Sequence, residues 1–331
     1  MSEINVPIME ALPNRLQARI ELRDRSLRNA VSDHPAGLSP RFILSLTKKW
    51  KVGQTITVAF KGGNAALHTK IADAASEWTK FANLEFDFGK TATGAFRTWS
   101  PGDHAYAAQI RVSFDQPGYY SLVGNDSVNK VVVKTGEESL NLEGFDQQLP
   151  DDWKAVTQHE FGHAIGFEHE HQSPLAPCDF RFDDDPGYRP TTDTFGQFIP
   201  DSSGRRPGLY TLLGGPPNNW PKAVVDFNLK QLPESHAYEI GPFDKKSIMK
   251  YFFESWMFVS GSHSACFTGG ENLTISAGDK QGAAKVYPAT PSDIMTMTQR
   301  QTALLQDLLK AESAPAEAKE HFHRALTQLQ S

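Results

Sequence analysis

Cysteine is almost missing: two residues, Cys178 and Cys266, in a chain of 331. Two cysteines make no disulfide framework, so a hydrophobic core must hold the fold. Whether they pair or stand as free thiols is open from sequence alone. No run of about 18 apolar residues occurs, which leaves no segment to cross a bilayer as a helix. Excess positive charge is absent too. The 33 Lys and Arg are outnumbered by 39 Asp and Glu, a net charge of −6, which argues against nucleic acid or an anionic membrane as main partner. Internal repeats are absent. The opening residues, Met1 to Glu10, lack the basic and apolar regions of a secretory signal. What is present is globular in kind, 39% hydrophobic and 22% charged. A chain of this size can bury a substantial core, as one domain with appendages.

The chemistry concentrates in His159-Glu160-Phe161-Gly162-His163-Ala164-Ile165-Gly166-Phe167-Glu168-His169. Pro150, Asp151 and Asp152 read as a helix start with acidic side chains available as caps. Trp153 and Val156 then open an apolar stripe that runs at helical spacing into Glu160 and His163, with His159 beside them. Ionisable groups on a core-facing stripe cost several kcal/mol unless something pairs with them. A metal resolves the conflict. Gly166 can turn the chain out of the helix in a left-handed conformation and bring His169 back as a third nitrogen ligand. Three histidines leave the fourth position of a tetrahedral zinc to water, the arrangement of a catalytic site. Zinc lowers the pKa of that water to roughly 7, and Glu160 is placed to take its proton, so the implied chemistry is hydrolysis. A bare H-E-x-x-H occurs by chance in on the order of 1 in 100 such chains; adding the glycine and third histidine lowers that to on the order of 1 in 100,000. His171 is near in sequence but wrongly spaced from Gly166 for a ligand, and needs no special role.

The rest of the chain supplies a frame. Arg15, Arg19, Arg23, Arg25 and Arg28 interleave with Leu12, Leu16, Ile20 and Leu27, a short amphipathic helix with a solvated basic face. From about Ser45, Thr55 to Phe60 alternates as a strand, Leu67, Ile71, Ala75 and Trp78 recur as a helix, and Leu84 to Phe88 alternates again. Strand, helix, strand favours a right-handed parallel crossover. Ile110, Val112 and Phe114 mark a third strand, Val131-Val132-Val133 a fourth and Ser139 to Leu142 a fifth. Residues 172–246 are rich in Pro, Gly, Asp and Asn and low in regular structure. Within them Asp183-Asp184-Asp185 reads as a solvated acidic loop; a calcium site is the lesser alternative, since an EF-hand's glycine and closing glutamate are missing. Ile294, Met297, Leu304, Leu305, Leu308 and Leu309 mark an amphipathic helix, and Pro315 separates it from one carrying Phe322, Leu326 and Leu329. The two read as a hairpin packed on the catalytic domain or on a second copy.

The motif resembles that of the metzincin zinc endopeptidases, H-E-x-x-H-x-x-G-x-x-H with a later Met-turn. The later element stands at Ser247-Ile248-Met249-Lys250-Tyr251. Within that clan the chain is most similar to the astacin family, in Gly166, Phe167 and Glu170, and in Phe243, Asp244, Ser247, Ile248, Met249 and Tyr251. The resemblance implies that Met249 forms an apolar floor beneath the metal, and that Tyr251 ligates zinc at rest and stabilises the tetrahedral intermediate in reaction. It implies a twisted five-stranded mixed sheet whose antiparallel lower edge lines the cleft. Leu140 and Leu142 fall on that candidate edge, where an extended peptide can add as a further strand. The family's usual last helix and Tyr-Pro end match Gly278 to Pro288. Two departures stand out: Lys250 replaces a common histidine, and His171-Gln172-Ser173-Pro174 replaces the usual Arg-x-Asp-Arg-Asp run. Neither the aspartate-bearing Phe-x-Gly-Asp of astacin propeptides nor a matrixin-type cysteine precedes the motif, so latency by those devices is not expected.

The expectation is an α+β protein with a metzincin-like zincin fold, its active-site helix above a loop-rich lower subdomain, plus C-terminal helices. Its parts are an N-terminal helical extension (1–44), a catalytic domain (45–288, divided into 45–166 and 167–288) and a C-terminal hairpin (289–331). His159, His163 and His169 hold one zinc ion, with Tyr251 as a further ligand; Glu160 and Tyr251 serve catalysis on an extended peptide or protein substrate. A narrow processing protease and a catalytically silent zinc-binding interaction protein are the rivals, and retention of Glu160 argues against the second. Family resemblance points to secretion, whereas the opening residues leave removal of a leader, non-classical export or a cytoplasmic location.

Overall fold

The computed structural model describes residues 11–31, 44–233, 238–310 and 316–330. In chain order the first elements are α1 (Asn14–Val31), β1 (Leu44–Ser45), β2 (Thr55–Phe60), α2 (Ala65–Ala75), β3 (Glu85–Asp87), β4 (Ile110–Ser113), β5 (Tyr119–Ser121) and β6 (Leu140–Leu142). Then come α3 (Trp153–Ala164), α4 (Leu209–Gly214), α5 (Lys222–Leu229), β7 (Tyr238–Glu239), α6 (Ala277–Val286), α7 (Pro291–Lys310) and α8 (Ala316–Gln330). The protein is α+β, built on a five-stranded mixed sheet in the order β3-β2-β4-β6-β5.

β2, β3, β4 and β6 run parallel, and β5 is antiparallel to β6. Five strands and an antiparallel edge agree with expectation, but two assignments do not. Val131-Val132-Val133 is not a strand: the Val132 and Val133 N–H groups both close onto Asn129 O at 2.9 Å, and both side chains are buried beneath α1 with Leu16 and Ile20. A β-branched run fits any tight apolar site, and here a helix covers it. The missing strand is β5, in a segment flanked by Pro117 and Gly118. Leu140 and Leu142 therefore do not line an open edge. β6 is bonded on both sides, to β4 and β5, and both leucines are fully buried, so their main chain is engaged within the sheet. The antiparallel edge is Tyr119–Ser121.

α2 begins at Asn64, whose side chain accepts the Leu67 N–H at 3.0 Å, and it packs with α3 over the sheet. α3 starts without the acidic cap expected of it. Asp152 is the N-cap residue, but its side chain makes no capping bond, and its main-chain carbonyl takes the Ala155 and Val156 N–H groups instead. The far end of α3 is better held. Gly166, at φ 109°, closes onto His163 O, and Phe167 N–H closes onto Gly162 O, the paired bonds of a Schellman turn. Trp50 Nε1 donates to Ala164 O at 2.8 Å and the Tyr287 hydroxyl to Ile165 O at 2.6 Å, so the last carbonyls of α3 have buried partners.

The main core lies between sheet and helices, from Ile56, Val58 and Val112 to Phe161 and Ile165. Met297, Leu305, Phe322 and Leu329 of α7 and α8 belong to the same cluster, so the C-terminal hairpin packs on the sheet-and-helix body. Pro315, read as the break between those helices, lies outside the described residues. A second, largely aromatic core (Phe180, Phe253, Phe258, Leu213, Val225) fills the lower region, where Cys178 and Cys266 form a disulfide.

α1 corrects another expectation. Its described basic face is only partly solvated: Arg15 and Arg19 stay half-exposed while pairing with Glu138 and, at 2.6 Å, Glu137, and Arg23, 4% exposed, pairs with Asp126. Acidic residues just before β6 and after β5 draw that face inward. The side chains of Arg25, Leu27 and Arg28 lie outside the description. No described helix is long and apolar enough to cross a membrane.

Candidate metal centre

The three histidines meet. Their ligand-bearing nitrogens all lie within 4.8 Å of one another, and His163 Nε2 and His169 Nε2 are 3.0 Å apart. Among the described residues this is the one group of His, Cys, Asp and Glu side chains so gathered. α3 supplies two of them from adjacent turns, with ring centroids 4.8 Å apart. The Gly166 turn brings His169 to within 4.5 Å of the His163 ring.

Each imidazole is oriented through its other nitrogen. His159 Nδ1 donates to Ile248 O at 2.6 Å and His163 Nδ1 to Phe167 O at 2.7 Å. Carbonyls only accept, so both Nδ1 atoms carry the proton and both Nε2 atoms present lone pairs. His169 Nδ1 lies 3.2 Å from Gln172 Oε1. Burial drives all three pKa values down, His159 to about 4, with the neighbouring imidazoles lowering His163 and His169 further. Neutral imidazoles with converging lone pairs are the protonation state a metal needs. His159 Nε2 is buried with no hydrogen-bond partner, an acceptor a cation would satisfy. The donor set, three imidazoles, suits zinc. Glu160, 2% exposed, sits between the two α3 histidines in sequence and is drawn into the same buried region.

Tyr251 joins the group. Its ring stacks on His159 at 5.5 Å and tilts over His169 at 4.2 Å. The turn that carries it is tightly bound. Asp279 at the start of α6 takes the Ser247 hydroxyl at 2.6 Å and the Ile248 N–H at 2.9 Å, while the Met249 N–H goes to Ser247 Oγ at 3.0 Å. Glu170 N–H donates to Met249 O at 2.9 Å, and Glu170 Oε1 accepts the Asp244 N–H at 2.7 Å, so the segment after His169 is clamped to that turn. Met249 is buried with Sδ against Gly162, where a Cβ would overlap it.

Sequence reasoning missed several supports. Gln172 and His171 were given no role, yet His171 is fully buried, stacked 5.2 Å from His169 and 5.2 Å from Tyr251. The usable signal was the departure at 171–174 from the family's run. Asp183 and Asp184 are exposed, as expected of a solvated acidic loop, and Asp185 is half-buried; Asp184 accepts the Gly208 N–H, and Asp185 takes Arg181 at 2.6 Å and the Arg206 N–H at 2.8 Å. Those oxygens stitch the loop to itself.

Three converging imidazoles, two buried and one half-buried, in a protein built on a mixed sheet fit a zinc-metalloprotease class of site. Among solved structures the chain is similar to myroilysin, at 30% identity over 75% of this chain and 98% of that one, with a TM-score of 0.56. A crystal structure of myroilysin matches at 28% identity over 86% and 100%, TM-score 0.44. High choriolytic enzyme 1, a hatching enzyme zinc-protease from the medaka fish Oryzias latipes, matches at 16% over 76% and 100%, TM-score 0.39. A scan against protein-family models and a search of curated proteins each found no match. The chain belongs to the metzincin zinc metalloproteases, and within them it is most similar to the astacin family.

Proposed function

We propose that the protein is an endopeptidase that hydrolyses extended peptide segments at the three-histidine site, with one zinc ion held by His159, His163 and His169. The observation that carries this reading is the convergence of three neutral Nε2 atoms, each with its Nδ1 on an acceptor, beside a buried glutamate. Zinc bound there supplies a Lewis acid that acidifies water and polarises the scissile carbonyl. Glu160 takes the proton of the attacking water and delivers it to the leaving amide nitrogen, one carboxylate serving as base and then acid. The Tyr251 hydroxyl donates to the oxyanion, a task in which losing one donor costs about 100- to 1,000-fold in rate. Its contact with both His159 and His169 supports the further role of resting ligand. Met249, buried under Gly162, is the apolar floor of the site.

An extended substrate pairs with the outer edge of β5, which has no strand partner among the described residues. The Cys178–Cys266 disulfide supports an oxidising, extracellular working environment.

The test is cleavage of denatured casein by the zinc-loaded protein beside Glu160→Ala and a chelated sample. Cleavage by the first alone is expected, with Glu160→Ala still binding zinc but slower by roughly 10²- to 10⁴-fold. Cleavage by Glu160→Ala at the unsubstituted rate overturns the assigned chemistry. A protein that binds zinc tightly and cleaves nothing would instead be a binder or a single-substrate processor.

A further inference from the structure

We infer that Gln172 is the positioning residue of the third metal ligand, and that it ties His169 to helix α5 of the lower region. The inference rests on the zinc-site reading above, and extends it to a residue that touches neither metal nor substrate.

The amide's orientation follows from its neighbours. Gln172 Nε2 lies 2.7 Å from Phe227 O and 3.2 Å from Lys230 O, both acceptors only, so the NH₂ must face them. Its Oε1 is thereby turned to His169 Nδ1 at 3.2 Å. An amide oxygen accepts, so Nδ1 of His169 carries the proton and Nε2 presents its lone pair toward His163 Nε2. Gln172 is 5% exposed, so water does not readily replace either bond. Its own main-chain carbonyl takes the Leu232 N–H at 2.7 Å, which fixes the residue from a third side.

The three ligands differ here in one respect. His159 and His163 are oriented by main-chain carbonyls, Ile248 O and Phe167 O, which no side-chain substitution removes. His169 depends on a side chain. The same side chain serves α5, whose last carbonyls have no partners within the helix. His171 works alongside, donating Nε2–H to Asn228 O at 2.9 Å. The segment 171–172, where the chain departs from its family's run, is thus what fastens α5 beneath the third ligand. Groups that orient metal-bound histidines typically change metal affinity by about 10- to 100-fold when removed.

A helix-capping role alone would give the same contacts to Phe227 and Lys230, so the variants must separate the two. Gln172→Glu keeps an acceptor for His169 Nδ1–H but sets a carboxylate against two carbonyls. Gln172→Leu loses both functions. Val225→Ala, at a fully buried position of α5, loosens the helix without touching Gln172. Zinc affinity is read by competition with a chromophoric chelator, and the stability of the metal-free protein by thermal unfolding. A positioning role predicts that Gln172→Leu binds zinc about 10- to 100-fold more weakly. It predicts that Gln172→Glu binds at least as tightly as the unsubstituted protein despite a lower Tm, and that Val225→Ala loses Tm with little change in affinity. If zinc affinity follows Tm through all three variants, or if Gln172→Leu binds as the unsubstituted protein does, the inference is wrong. Should the glutamate variant not fold, Gln172→Leu against Val225→Ala decides alone. Failure of the unsubstituted protein to bind zinc would instead remove the site reading itself.

Discussion

The regions above and below the metal centre hold themselves together by different means. Above it, a parallel-dominated sheet satisfies main-chain groups in ladders and buries a continuous core of Ile56, Val58, Ile110, Val112, Leu140 and Leu142. Below it, two short helices are set in loops closed by side chains: Asp193 Oδ1 takes the Phe195 and Gln197 N–H groups, and Asp201 Oδ1 those of Ser203 and Arg205. Rings of Phe180, Phe253 and Phe258 and one disulfide replace the aliphatic sheet core. The metal site inherits the contrast. Two ligands ride on a helix and are oriented by main chain, and the third rides on a turn and is oriented by a side chain.

The comparison breaks first at the disulfide. Cys178 and Cys266 are separated by 88 positions, and closing a loop of that size restricts the unfolded chain strongly. Replacing both with serine should lower stability by ~2–5 kcal/mol in a denaturant titration. Hydrogen exchange should show α4 and α5 losing protection before the sheet. Equal loss in both regions would mean that they unfold as one unit.

Lys49 tests the upper core. Its ammonium is buried, bonded to Trp50 O at 3.2 Å and set over the Tyr287 ring, and burial lowers its pKa from 10.5 to about 7. Because the folded value lies below the unfolded one, the folded state loses stability as pH falls from 10.5 through about 7. Lys49→Met should therefore stabilise by up to ~5 kcal/mol below pH 7, and the gain should vanish near pH 10.5. Unfolding free energies across that range check both size and sign.

At the seam between the regions, Gly162→Ala should reverse the usual sign. Alanine in a helix ordinarily gains up to ~1 kcal/mol over glycine. Here a Cβ would overlap Met249 Sδ and press on Trp78, so a loss of ~1–3 kcal/mol and weaker zinc binding are expected. A stabilised variant would show that Met249 is free to move. The smallest effect is at His321, whose Nε2 donates to Asn125 Oδ1 at 3.1 Å and whose pKa burial lowers to about 4, against the opposing pull of Asp126. Its contribution is present above pH 6.5 and is lost as pH falls to about 4. His321→Gln should flatten that part of the acid-unfolding curve.

Local patterns were readable and distant partners were not. The histidine spacing and the Gly166 turn lie within one helix and its C-cap, so periodicity and one residue's backbone freedom sufficed. Val132 and Val133 have strand composition but are buried by the apolar face of α1, whose partner sequence patterning did not reveal. Tyr119–Ser121 is too short to show alternation and is a strand only because β6 lies beside it. Gln172 meets Phe227 and Lys230 across 55 and 58 positions, a contact no local pattern encodes. The same holds for Asp279, which pins the Met249 turn from 31 and 32 residues away.

The most direct test is to strip the protein with chelator and return zinc in measured fractions, following proteolysis and bound metal together. The account predicts no cleavage at zero zinc, a linear rise to a break at one ion per chain, and the same binding curve without cleavage for Glu160→Ala. Cleavage by the stripped protein, or a saturated protein whose activity ignores Glu160, would contradict it.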